Sequence, residues 1–190
     1  MKKLTLLFVI LTAYTVSAQN VGIGTINPLA RLHITDSSVL FSATGDIPAV
    51  QGNPPVSGEG RRMMWYPDKA AFRAGYVSGT NWDNNLIGNY SFAAGYDTWA
   101  SGENSTSLGR QTTASGNYST SMGNQTIAKG FSSTVLGLYN DSILTTNETS
   151  VSSTTPFLIV GNGDNTTTRR NALVVLKNGN TGIGDRKSVV

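Results

Sequence analysis

The chain has 190 residues, no cysteine and a formal charge of +3. That length allows one ordinary domain or two small ones, and the missing cysteine excludes both a disulfide framework and a lipid anchor on an N-terminal Cys. Lys2 and Lys3 supply part of the positive charge at the very start of the chain, so the basic balance is no argument for a nucleic-acid partner.

The first element is a targeting pattern. "MKK" is followed by the apolar "LTLLFVILTAYTV" and by the small residues Val16-Ser17-Ala18 before Gln19. This predicts a signal peptide over residues 1–18 and an exported chain beginning at Gln19. The apolar run is shorter than a spanning helix needs, and no later segment is apolar enough to cross a bilayer, so no membrane-spanning segment is expected in the mature chain.

Residues 19–60 read as an N-terminal β module and a Pro/Gly loop. "VGIGTINPLARLHI" joins a Gly-rich strand to an apolar one, with Asn27-Pro28 marking the turn. "TGDIPAVQGNPPVSGEG" is the loop. Residues 61–87 concentrate Trp65, Tyr66, Phe72, Tyr76 and Trp82 around a turn at Pro67-Asp68. They predict an aromatic hairpin that caps the open edge of whatever follows; stacking on sugar rings is the alternative use of the same side chains.

Residues 88–143 repeat every fourteen residues: GNYSFAAGYDTWAS, GENSTSLGRQTTAS, GNYSTSMGNQTIAK and GFSSTVLGLYNDSI. Positions 1 and 8 are always Gly and position 4 is always Ser. Fixed-period self-similarity predicts stacked repeats. Fourteen residues suit one coil of two short strands, with glycine expected at the corners. Strand alternation puts the small residues of positions 4, 6, 11 and 13 on the inside. Position 7, which reads Ala94, Leu108, Met122 and Leu136, then points outward as an apolar stripe that needs a partner. The opposite parity would put position 7 in the coil's own core. On the second strand, Trp99, Thr113 and Ile127 at position 12, with Lys129 at position 14, form the candidate ligand face; plain solvent exposure is the alternative.

Residues 144–190 read as a C-terminal β module. Two β-branched strands are followed by an Asn178-Gly179 hairpin signal and by Thr181-Gly182-Ile183-Gly184, which echoes Val21-Gly22-Ile23-Gly24. The pattern then breaks off in "DRKSVV", where a truncated product or another export route is expected.

The Ser-x-Ala/Ser-apolar-Gly-x-x-Thr-x-Ala-x-Gly beat of residues 88–143 resembles the head repeats of trimeric autotransporter adhesins, the YadA-like or haemagglutinin-type heads. The flanks resemble shaft modules of bacterial surface fibres and phage tail fibres. The resemblance implies an all-β fold with a left-handed parallel β-roll of four coils, flanked here by short β-hairpin modules. It also implies a homotrimer and adhesion to host, matrix or glycan surfaces, at the cell surface, outer membrane or extracellularly. The family's collagen-linked motif finds only "NSTSLGRQT" here, with valine, alanine, isoleucine and the final serine replaced.

Catalytic chemistry has little to stand on. His33 is the only histidine and has no nucleophile marked beside it. "GIGT" and "GNGDN" lack the lysine of a phosphate loop, and no cluster has metal-ligand spacing. The expectation is a protein without catalytic residues, cofactor or metal. A spacer segment of a fibre, and more remotely a fragment of a tail-spike-like glycan hydrolase, are the competing readings.

Overall fold

A computed structural model describes residues 20–142 and 148–184. The expected signal peptide, Ile143 of the fourth repeat and "DRKSVV" lie outside the described residues. What is described is all-β, with helix confined to two short 3-10 turns. The chain divides into two units, residues 1–41 and 42–190.

In the first unit, β1 (Val21–Ile23) and β2 (Leu32–Ile34) pair in parallel, with Val21 opposite Leu32. The hairpin expected at Asn27-Pro28 is therefore corrected. The Pro bends the connection, but the chain returns to the start of β1 instead of reversing beside it. Val21 N–H donates to Arg31 O at 2.6 Å, and Thr35 N–H to Ile23 O at 2.8 Å. His33 fastens this loop: its Nδ1 accepts from Leu29 N–H and its Nε2 bonds Thr35 Oγ1, both at 3.1 Å. Both ring nitrogens are thus used in holding the fold.

The second unit opens with β3 (Gly60–Tyr66) and β4 (Ala71–Val77), an antiparallel hairpin turning through Pro67–Lys69. The repeats follow as β5 (Phe92–Tyr96), β6 (Trp99–Ala100), β7 (Thr106–Arg110), β8 (Thr113–Ala114), β9 (Thr120–Asn124), β10 (Ile127–Ala128) and β11 (Thr134–Leu138). Then come β12 (Pro156–Asn162), β13 (Asn171–Leu176) and β14 (Thr181–Ile183). Phe92, Thr106, Thr120 and Thr134 are partners in successive parallel pairs, and Trp99, Thr113 and Ile127 likewise. Each coil thus stacks on the next with a shift of one full repeat. One sheet has the order β10-β8-β6; the other runs β14-β13-β12-β11-β9-β7-β5-β4-β3, with antiparallel strands at both ends.

The corners are not made as the sequence suggested. The residues in the left-handed region are Tyr90, Asn104, Tyr118 and Ser132 at position 3, and Asp97, Gln111, Gln125 and Tyr139 at position 10, with φ between 41° and 60°. None is glycine. Such backbone is costly for an L-residue, and it is held by hydrogen bonds to the preceding coil. Gln111 N–H donates to Tyr96 O at 2.6 Å, Tyr118 N–H to Glu103 O at 2.7 Å and Gln125 N–H to Arg110 O at 2.7 Å. The glycines lie elsewhere and answer a demand for space, joined at position 8 by a positive φ of 98° to 129°. A Cβ on Gly95 would lie 1.9 Å from Gly109 O, and one on Gly109 would lie 2.1 Å from Gly123 O. The position-8 column runs through Gly75, Gly95, Gly109, Gly123, Gly137 and Gly161, one in each of six parallel strands.

The interior of the coils is narrow and polar. Ser91, Ala93, Thr98 and Ala100 are buried, as are their equivalents in the next two coils and Ser133, Val135 and Asn140 in the fourth. Their hydroxyls bond across the coil: Ser107 Oγ to Thr112 Oγ1 at 2.7 Å, and Ser121 Oγ to Thr126 Oγ1 at 2.8 Å. A buried hydroxyl with a partner avoids most of the desolvation penalty. Apolar packing is concentrated at the ends. Met64, Tyr66, Ala71 and Ile87 cluster at one, and Val135, Ile159, Val174 and Leu176 with Ala128 at the other.

Side chains finish the ladders where strands run out. Trp82 is fully buried and donates its indole N–H to Thr98 O at 2.9 Å. Asn140 Oδ1 accepts from Ile127 N–H at 2.7 Å while its Nδ2 donates to Ile127 O at 3.0 Å, so one amide side chain stands in for a strand. Asn171 does the same for Asp141, at 2.9 and 3.0 Å. Arg73 takes the interior position opposite Ala93 and donates to the carbonyls of Phe72, Ser91 and Ala100. Burial pulls its guanidinium down to about 10. Val21–Gly24 and Thr181–Gly184 share their echo only as sequence, since β1 pairs in parallel and β14 antiparallel to β13.

Candidate interaction surfaces

Alternation along β5, β7, β9 and β11 leaves positions 5, 7 and 9 on the outer face of the larger sheet. Ala94, Leu108, Met122 and Leu136 stand in one register column. Ala94 and Leu108 are half-buried, while Met122 and Leu136 are 42% and 36% exposed.

The column does not stop at the repeats. Through β4 and β3 it continues as Ala74 and Met63; through β12, β13 and β14 it continues as Val160, Leu173 and Ile183. All nine strands therefore contribute one apolar side chain and no charge. Met63 and Ile183, at its two ends, are 74% and 77% exposed. The flanking five levels could not be found from the repeat. They depend on the register of strands that carry no periodic signal.

The neighbouring columns are mixed. Phe72 stacks on Phe92, and Tyr76 on Tyr96, each with ring centroids 5.3 Å apart. Arg110 continues the second column with its guanidinium 5.5 Å from the Tyr96 ring, a cation–π distance. Farther along, Asn124 and Leu138 take the same level.

The smaller sheet presents Trp99, Thr113 and Ile127 in one half-buried column, and Lys129 lies exposed just beyond Ala128. This brings the four candidate ligand-face residues onto adjoining levels of one edge. Beside them Gln125 donates its side-chain amide to Gln111 Oε1 at 2.8 Å, so the surface is ordered by its own ladder. Among the described residues, no group of three or more His, Cys, Asp or Glu is placed to hold a metal ion, and no helix is long and apolar enough to cross a membrane.

Stacked fourteen-residue coils with a polar core and glycine columns define a repeat protein built by parallel strand addition. Its kind is given by comparison with known families. Residues 87–112 and 100–126 each match the YadA head domain repeat. Residues 87–126 thus carry the repeat of YadA-like trimeric autotransporter adhesin heads, a family of surface-exposed, non-enzymatic adhesins. No curated protein and no solved structure matches the chain.

Proposed function

We propose that the protein is a surface-displayed, non-catalytic adhesin whose coils form a left-handed β-roll and assemble as a homotrimer around the position-7 column. The observation that carries this reading is the nine-level uncharged column lying across a segment that matches YadA head repeats. A threefold axis parallel to the stack brings equal levels of three chains face to face. A charge at any level would then meet its own copies, and Ala, Leu, Met, Val and Ile avoid that. Completing the burial of one half-exposed Leu or Met is worth about 1 kcal/mol, and nine levels add such increments along the whole unit.

The ligand face is the outer side of the smaller sheet, through Trp99, Thr113, Ile127 and Lys129. It offers an aromatic ring and a hydroxyl in one column with a cation beside its far end, a set suited to a glycan or an extracellular-matrix protein. Immobilised glycan and matrix arrays probed with the secreted chain test this, together with Trp99→Ala. Binding that falls at least about tenfold in the variant supports the ligand face. Arrays without signal would leave the trimer as a spacer in a fibre and remove the adhesive role.

A further inference from the structure

Away from both surfaces, the loop of residues 42–48 closes over the β3–β4 hairpin and leaves a cavity of about 510 Å³. Its walls include Ser42, Thr44, Asp46, Trp65, Asp68 and Tyr90. The volume lies in the range of small-ligand sites. Trp65 and Tyr90 belong to the position-5 and position-3 side of the sheet, so the cavity sits beside the position-7 column and not on it.

The chain is strapped down at two points, within the loop at Asp46 and just beyond it at Gly52, and each strap consumes one carboxylate oxygen. Asp46 Oδ1 accepts from Tyr90 Oη–H at 2.9 Å and from Ile47 N–H at 2.7 Å. Asp68 Oδ2 accepts from Gly52 N–H at 2.8 Å. The bond from Ile47, and after it that from Tyr90, hold the Asp46 carboxyl below its ordinary range. Among the described residues, the second oxygen of each carboxylate has no protein partner, and neither do the Ser42 and Thr44 hydroxyls. Among the described residues no cation lines the cavity; Lys69, next in sequence, spends its Nζ on Asn84 O and Ile87 O.

We infer that this cavity binds an uncharged pyranose ring, as a terminal hexose or N-acetylhexosamine of a glycan. Vicinal hydroxyls are donors that two unpaired carboxylate oxygens accept in charge-assisted bonds. The C–H face of the ring packs on the negative face of an indole or phenol. Two carboxylates without a compensating cation repel sialic, uronic and sulfated sugars and phosphates alike. The assignment is separate from the Trp99 face, so either can fail alone.

Saturation-transfer NMR of the full chain with methyl glycosides of glucose, galactose, mannose and N-acetylglucosamine tests it, with N-acetylneuraminic acid and butylammonium as charged probes. At least one neutral glycoside is expected to bind in the millimolar range and N-acetylneuraminic acid not at all. Asp68→Asn keeps an acceptor for Gly52 N–H while removing the charge, and should weaken binding about tenfold. Measured in the Trp99→Ala background, so that the other face adds no signal, Trp65→Leu should abolish the transfer. Silence from all four neutral sugars, equal binding of the acidic sugar, or binding that survives both Asp68→Asn and Trp65→Leu would overturn the assignment. Tighter binding of butylammonium than of any sugar would overturn it in favour of a cationic peptide.

Discussion

The carbonyl oxygen of Gly109 lies 1.9 Å from the place a Cβ on Gly95 would occupy. No side chain fits that gap, and the obstacle is backbone that the neighbouring coil also uses. Gly95→Ala is therefore expected to destabilise the protein by about 3 kcal/mol or more, because overpacking adds to the strain of its φ of 129°. Gly79 meets nothing within 4 Å and has no positive φ. Gly79→Ala should change stability by less than about 0.5 kcal/mol. Thermal unfolding of the two variants checks the pair.

Arg73 closes the interior of the first coil with no carboxylate partner among the described residues; its guanidinium is held by carbonyls and by Ser91 Oγ. Arg73→Ala leaves those acceptors unmatched and opens a cavity, a loss of about 3 kcal/mol. The pH dependence follows from the sign of the shift. A cation with a depressed folded value gains relative stability only as pH rises through about 10 towards its unfolded value. Below that, both states are fully protonated. The cost of Arg73→Ala should therefore be the same at pH 5 and pH 8 in chemical denaturation.

Asn140 substitutes for a missing strand at Ile127, donating and accepting with one amide. Asn140→Asp keeps the acceptor but sets a carboxylate oxygen against Ile127 O. The expected loss is about 2 kcal/mol, together with faster hydrogen exchange at amides near β10. Asn140→Ala should give a similar loss through two unmatched backbone groups.

Much of this architecture was legible in the chain. The period located the coils, and alternation put Ser107, Thr112 and Ala114 inside and Leu108 outside. Spacing alone does not tell a corner glycine from one inside a strand, where position 8 needs both a positive φ and the space a Cβ would fill. The corners went instead to residues such as Tyr118 and Gln125, whose strain is offset by bonds to another coil. An Asn-Pro pair bends a chain equally well in a hairpin and in a crossover, so the parallel pairing of β1 with β2 was hidden. The cavity was hidden for a further reason. It needs Asp46, Trp65 and Tyr90 brought together from separate segments, and no local pattern encodes that.

The position-7 column predicts the assembly. Leu108→Asp with Leu136→Asp places six carboxylates around a common axis in a trimer, at two levels where apolar contact is expected. The most direct measurement is the solution mass, by light scattering, of residues 19–190 and of this double variant. The account predicts three times the monomer mass for the parent chain and a monomer or aggregate for the variant. A monomeric parent, or a variant that keeps the trimeric mass, would contradict it.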